Sequence, residues 1–359
     1  LPHMIRFRTG PMRTVLAAAA IAKGSGKKCP VMQPVGLHFR VRHHYRTDMW
    51  VEFGKPYYLP EDDIPEDLIE AVQNREWVEP PGDLVRSLRD RLRPHLLPIT
   101  PNVSSWDEHG AYHLVAQLES RIKKQPLNTW RKEVLAARHV RDRYQIGPEG
   151  DDGKPAPVQH PIVDLAKDVH LQLGERGLDG RDLDATGMRL RRGNPLRGVG
   201  FAIKTTLMMM LLPAFLLSLS PQLALGRFLG DRTDEGVDAR TTYQFLAAMF
   251  GSVILWPFMA FISAGVLWLN SNEISAFTSV DLRTILGNEP MHSLGAFVLL
   301  YVSMIPVFWI SGRMFGLWWD GYVDARKAFQ RLLAGGIYKQ TLEEKLKNLK
   351  GELQPSSER

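Results

Sequence analysis

"TTYQFLAAMFGSVILWPFMAFISAGVLWLNSN", residues 241–272, contains no charged side chain. A helix needs roughly 20 mostly apolar residues to cross about 30 Å of hydrocarbon, and this stretch is longer than that. Residues 205–225 and 290–312 form two further uncharged blocks. Trp256, Trp268, Trp309, Trp318 and Trp319 stand near the ends or middles of these segments, as interfacial aromatics do. The core of a soluble domain rarely supplies three such runs separated by short polar loops. The sequence therefore predicts an α-helical membrane domain over residues 199–315, with segments at about 205–225, 243–270 and 290–312.

The charges around these blocks are uneven. Arg189, Arg191, Arg192, Arg197 and Lys204 precede the first, and Arg227, Arg232 and Arg240 follow it. Residues 273–289 hold one cation, Arg283, against Glu273, Asp281 and Glu289. Arg313, Arg326, Lys327 and Arg331 follow the third block. The positive-inside rule places the 273–289 loop outside and the other flanks inside, which requires an even number of crossings. Blocks two and three then cross as a hairpin, and block one re-enters on the inner side or lies in the interface. Pro213 and Pro221 interrupt block one at suitable places. Three full spans remain the alternative, because proline is tolerated in spanning helices.

With 359 residues the chain has room for one to three domains. A formal charge of +6 suits anionic surfaces, such as membranes or phosphorylated substrates, and does not point to a nucleic-acid partner. The single cysteine, Cys29, excludes an internal disulfide framework and fits a reducing compartment.

Ahead of the membrane domain the pattern changes. Residues 13–22 are alanine-rich and end in Gly24-Ser25-Gly26, which predicts a short helix. Residues 30–42 and 49–53 read as strands joined by a basic turn, the second closed by Gly54-Lys55-Pro56. Helix, strand, turn and strand make residues 1–60 look like the back half of an α/β domain. Leu1 is not a start methionine and the first residues read as mid-domain, so a longer parent chain is expected. Residues 61–150 predict a polar helical region. Leu84, Leu88 and Leu92 lie at helical spacing in a segment that Pro94 and Pro98 should end, and 106–122 and 127–144 follow as helices. Residues 151–198 read as a linker with one short helix, and 316–359 as a charged, cytoplasmic amphipathic tail that is solvated or surface-lying.

Several residues have the form of chemical motifs. His43 and Asp48 are five apart, the spacing of a base and its orienting carboxylate in acyl transfer. Arg40, Arg42, His44 and Arg46 surround them, and the stretch reads as a basic hairpin tip. His109 and His113 are four apart on a helix but lack a third ligand, and read as surface histidines with no metal site. Asp151-Asp152 and residues 179–184 lack the glutamate that closes a calcium loop. No nucleophile elbow appears. Arg6, Arg8 and Arg13 flank Thr9-Gly10 at a helix start, a plausible phosphate contact or equally a solvated basic face.

Taken in order, these stretches resemble the glycerol-phosphate/lysophosphatidate acyltransferase family, and its larger membrane-bound branch in particular. Phe7-Arg8-Thr9-Gly10 resembles the family's lysine-threonine-glycine segment, with Arg8 in the lysine's place. Gln33-Pro34-Val35-Gly36-Leu37 is similar to its proline-valine-glycine strand, and Tyr45 to Asp48 with Val51 to Gly54 and Pro56 to the strand after it. "LLPITPNVSSWDEHGAYHLVAQL" and "DARTTYQFLAAMFGSVILWPF" resemble later segments of that branch. The resemblance implies an α/β partial acyltransferase domain, then a helical region and a membrane domain. It implies transfer of a fatty acyl group from acyl-CoA or acyl-ACP to glycerol-3-phosphate or a related phosphorylated glycerol in phospholipid synthesis. Arg8, Thr9, Gly10, Pro34, Val35 and Gly36 are the implied substrate-binding residues, and no metal or redox cofactor is implied. The family's catalytic His-x4-Asp precedes all of these motifs. It is expected upstream of Leu1, His43 and Asp48 are not the dyad, and residues 1–359 alone should be inactive. The lipid bilayer is the remaining expected partner, with a bacterial inner membrane as the site and the catalytic side cytoplasmic. A non-catalytic, membrane-anchored scaffold with a degenerate domain is the alternative. A transporter subunit is disfavoured, because charges marking a transport path are almost absent from the apolar blocks.

Overall fold

β-branched and aromatic residues alternate through the early strands, and they pair as one interrupted antiparallel hairpin. β1 (Val31–Met32) pairs with β4 (Tyr57–Tyr58), and β2 (Val35–Phe39) with β3 (Met49–Phe53). Between the two ladders the Gly54 N–H donates to the Pro34 carbonyl (2.9 Å) and the Gln33 amide to the Gly54 carbonyl (2.6 Å), so the hairpin stays closed. The computed structural model describes residues 2–4, 9–41, 47–145, 154–192, 195–232, 237–270 and 290–354. The chain forms two compact units, one of Leu1–Arg40, Asp48–Arg192 and Gln330–Arg359, the other of Val41–Thr47 and Gly193–Phe329. The described chain is 71% helical, so helices carry the architecture and the strands form only two small two-stranded sheets.

In the first unit the hairpin packs with α1 (Gly10–Gly24), α2 (Glu66–Gln73) and α3 (Gly82–Leu96). Met12, Leu16, Met32, Leu68, Val85 and Leu88 close their shared core. α3 runs to Leu96, past Pro94, and gives way to a 3-10 turn over Leu97–Ile99, so of the two prolines it is Pro98 that marks its end. Pro94 falls in its last turn, where a lost N–H removes one bond and no continuing helix is disrupted.

A second core joins α4 (Trp106–Ile122), α5 (Trp130–Tyr144) and α6 (Pro161–Glu175). The caps fix where these helices begin. Ser105 accepts from the Glu108 N–H (3.1 Å), and Thr129 from the Lys132 N–H (3.3 Å). The fully buried Glu108 is tolerated because Ser104 (2.5 Å), Tyr112 (2.8 Å) and the Val158 N–H (3.3 Å) all donate to its carboxylate.

The tail corrects an expectation. Residues 316–333 continue the long helix that starts at Pro290, and the last helix is neither solvated nor merely surface-lying. Leu342, Leu346 and Leu349 sit in the core with Val163, Val169 and Leu173, and Lys345 pairs with Asp168 at 2.7 Å. Leucines spaced four and three apart form a stripe that a reading of the charges alone passes over.

The second unit contains α7 (Pro195–Met210), α8 (Leu212–Ser218), α9 (Ser220–Asp231), α10 (Val237–Leu269) and, up to Phe329, α11 (Pro290–Leu333); α12 (Gly336–Leu353) is the tail helix of the first unit. Two stretches, Phe245–Leu269 and Leu294–Leu333, are long and apolar enough to cross a membrane. Only 17% of the most apolar window of each is buried, so these apolar faces point outward, as they would toward lipid. α7 and α8 are also apolar but meet at 67°. Phe261 and Phe297 (5.4 Å) and Trp256 and Phe308 (6.3 Å) align α10 and α11 as an antiparallel pair.

Leu346→Ala should destabilise the first unit by about 2–5 kcal/mol, the range for emptying a leucine site in a closed core. Urea unfolding of the detergent-solubilised chain measures this, and a change below about 0.5 kcal/mol would restore the solvated-tail reading.

Candidate functional site

Along β2 the side chains alternate in an unusual sense. Val35 and Leu37 point outward, while Gly36 and His38 point inward. Met49, Val51 and Phe53 of β3 are exposed opposite them, Phe53 at 70%. One face of the hairpin is therefore an open apolar surface, and its inner face is polar.

The inner face is closed by α5. Arg138 donates through both terminal nitrogens to Glu52 (2.9 and 2.5 Å), and His38 Nε2 lies 2.9 Å from Glu52 Oε2. Burial alone would raise the Glu52 pKa, but the Arg138 guanidinium and His38 bring it below the ordinary value, so Glu52 is an acceptor. The His38 Nε2 must then carry the proton. Burial lowers the His38 pKa, and the ring is neutral, stacked on Trp50 at 4.9 Å. The His38 carbonyl accepts from Trp130 Nε1 (2.8 Å).

A second pair lies alongside. Arg40 bridges Asp48 and Glu133 (2.9 Å to the latter) and stacks over Trp130 at 5.0 Å. Gln117 donates to Glu133 at 3.0 Å. Burial raises the Glu133 pKa, and Arg40 opposes that. Trp130 also stacks with His113 (5.2 Å, interplanar 11°), which in turn meets His109 (4.6 Å). His113 is therefore not the surface residue the helical spacing suggested. Burial, with His109 and Arg181 near, holds its pKa well below the ordinary range. Gly110 makes room for this cluster, since a Cβ there would lie 2.1 Å from His170 Nε2. Among the described residues no group of His, Cys, Asp or Glu is arranged to hold a metal.

The residues singled out by the resemblance fall into two places. Arg8 lies outside the described residues, as do Arg6, His43, His44, Tyr45 and Arg46. Thr9 and Gly10 start α1; the Thr9 carbonyl accepts from the Met12 and Arg13 N–H groups (both 3.1 Å), and nothing crowds Gly10. Arg13 pairs with Glu79 at 2.5 Å, an exposed contact worth little. Pro34 precedes β2, and Val35 and Gly36 open it. A Cβ on Gly36 would stand 2.5 Å from the Ile99 carbonyl oxygen, so the hairpin seats on backbone there. Val35 belongs to the outward apolar face.

Chemically, the inner network is a clamp. Each carboxylate oxygen of Glu52 meets the guanidinium, His38 is 7% exposed, and the described surroundings offer no nucleophile. Its members, His38, Glu52, Arg138, Glu133 and Trp130, escaped the sequence reading. The available signal was a pair of polar residues at alternate strand positions. No family model, curated protein or solved structure matches the chain.

Two outcomes follow. Gly36→Ala should cost about 1–3 kcal/mol, because a backbone carbonyl cannot swing aside as a side chain does. His38, His113 and His170 all have lowered pKa values, with burial as the first cause in each. The folded state refuses protons that the unfolded chain takes up near 6.5, so stability is complete above pH 6.5 and falls as the pH drops below it. Each such proton contributes a slope of up to about 1.4 kcal/mol per pH unit. Urea unfolding between pH 7.5 and 5.5 reads the slope, and His113→Phe should reduce it.

Proposed function

We propose that residues 1–359 are the scaffold and membrane anchor of a glycerolipid acyltransferase, which moves an acyl group from acyl-CoA or acyl-ACP to a phosphorylated glycerol. The observation that carries this reading is the open face of the hairpin. Val35 pairs with Phe53 and Leu37 with Val51, and all four are exposed. A two-stranded sheet with its apolar side uncovered is marginal alone and suits one layer of a larger α/β domain. The order of the segments around it, from Thr9-Gly10 through Pro34-Val35-Gly36 to the membrane helices, supports the same assignment. In this reading the base and its carboxylate lie in chain outside these residues. Arg8, Thr9 and Gly10 contact the phosphate at the start of α1, and Pro34, Val35 and Gly36 line the acyl-transfer cleft. No metal takes part.

The membrane topology proposed with it is two spans and one re-entrant segment. Thr205 of α7 accepts from Trp318 Nε1 (3.0 Å), Phe215 of α8 stacks on Phe315 (4.4 Å), and the Ser218 carbonyl accepts from Trp256 Nε1 (3.0 Å). Gln222 of α9 then lies against Gly251. The chain thus moves along α11 toward the middle of α10 and turns back toward the start of α10. An excursion of this kind enters and leaves on one side, the cation-rich side that the positive-inside rule places in the cytoplasm. A non-catalytic anchored scaffold is the competing reading.

The whole protein, reconstituted in lipid with acyl-CoA and glycerol-3-phosphate or dihydroxyacetone phosphate, should release CoA, and residues 1–359 alone should not. Absence of release with every phosphorylated glycerol tried would favour the scaffold. A C-terminal tag should be protected from protease in vesicles sealed with the cytoplasmic side inward; cleavage there would remove the two-span topology.

A further inference from the structure

The membrane unit buries polar side chains that its helices leave without partners. Ser218 is 1% exposed, Gln222 3% and Ser311 0%. Ser218 Oγ, Gln222 Nε2 and Ser311 Oγ are all enclosed and have no hydrogen-bond partner among the described residues. Neighbouring serines behave differently. Ser252, Ser263 and Ser303 each donate to a carbonyl of their own helix (2.9, 2.6 and 2.7 Å), the ordinary way a hydroxyl is satisfied in an apolar helix.

Contacts made by their neighbours put the three groups where α8, α9, α10 and α11 meet. Ser218 ends α8 at the break with α9, where Leu219 has φ −110° and ψ −32°, and its carbonyl is held by Trp256. Gln222 lies one turn further, with its Cγ 3.4 Å from where a Cβ on Gly251 would stand. Trp256 meets Phe308, which shares the buried side of α11 with Ser311. The next residue, Gly312, faces Leu219, whose Cδ1 is 3.7 Å from a Cβ built there. A buried donor left unmade is costly, and more so where no water can reach it, so a ligand oxygen that accepts from it would be stabilised there.

We propose that Ser218, Gln222 and Ser311 form a binding site for the carbonyl group of a long-chain acyl lipid. Two hydroxyls and an amide N–H can all donate, and an ester or carboxyl oxygen accepts several such bonds without a donor of its own. The depth fits that chemistry. Gln222 is about 7 Å of helical rise from Arg227, and Ser311 about 3 Å from Arg313, so the donors lie just inside the charged boundary. Arg313 is exposed and stands 5.8 Å from the Trp309 ring, placed to meet a phosphate or carboxylate at the same level. The acyl chain would continue over the exposed apolar sides of α10 and α11. The site belongs to the membrane unit alone and does not depend on the acyltransferase reading.

The test uses the full chain in phosphatidylcholine nanodiscs, doped either with a diazirine-acyl phosphatidylglycerol or with a diazirine-bearing palmitic acid, each carrying the diazirine at the carbonyl end of the acyl chain. Peptide mapping should find label concentrated in residues 211–222 and 305–315. Label from the phospholipid assigns an ester carbonyl to the site, and label from the fatty acid a carboxyl. Ser218→Ala, Ser311→Ala and Gln222→Leu should each lower that labelling about fivefold, the weight of one hydrogen bond. Ser252→Ala and Ser303→Ala should leave it unchanged. Label spread evenly along α10 and α11 and indifferent to the three substitutions would overturn the proposal. So would a rise in thermal stability of Ser218→Ala or Ser311→Ala with unaltered labelling, since the groups would then be a burial cost without a ligand.

Discussion

The first unit turns on the double hydrogen bond between Arg138 and Glu52. The β2–β3 hairpin presents His38, Trp50 and Glu52 to the helices, so a helix must bring polar partners to it. α5 does so with one guanidinium on both carboxylate oxygens and one indole N–H on the strand carbonyl. Removing the guanidinium would leave a largely buried carboxylate with only neutral His38 beside it, a loss of about 3–5 kcal/mol for such pairs. The charged pair is weak evidence of stability by itself. Its consequence is orientation, because only one register of the hairpin puts Glu52 opposite Arg138.

That orientation decides what the other face does. With polar side chains turned inward, alternation forces Val35, Leu37, Met49, Val51 and Phe53 outward. An apolar strand face is ordinarily the side that packs. Here the packing partner of that face is not among the described residues, whereas α1, α2 and α3 cover only the other end of the hairpin. The membrane unit shows a related incompleteness in the opposite medium. The outer sides of its two long helices are largely apolar, and its interior carries Ser218, Gln222 and Ser311 without partners among the described residues.

The strand and helix elements were largely legible. Residues 106–122 were expected as a helix and form α4 with those bounds, and 49–53 form β3. Caps at Ser105 and Thr129 and the two long uncharged runs explain why, since local sequence alone fixes such features. The site residues were not legible. His38 and Glu52 are fourteen apart, and Arg138 is eighty-six beyond Glu52. No spacing rule links residues brought together by a helix laid across a hairpin. His109 and His113 were visible as a pair, but a helical period gives the face without saying whether Trp130 covers it.

By itself the sequence determined that residues 106–122 form a helix and 49–53 a strand, that two segments can cross a bilayer, and which loops are poor in cations. These follow from hydropathy, capping and charge, which act over a few turns of chain. Only the tertiary structure decided which side of the hairpin is buried, that the leucines of the tail helix belong to the core of α4 and α6, and that the first apolar block bends by 67°. Each of those depends on a partner distant in sequence: a guanidinium for Glu52, a hydrophobic groove for Leu346, and an indole N–H for the carbonyl exposed at Ser218. Burial and hydrogen bonding are settled between elements, and the elements meet only once the chain has folded.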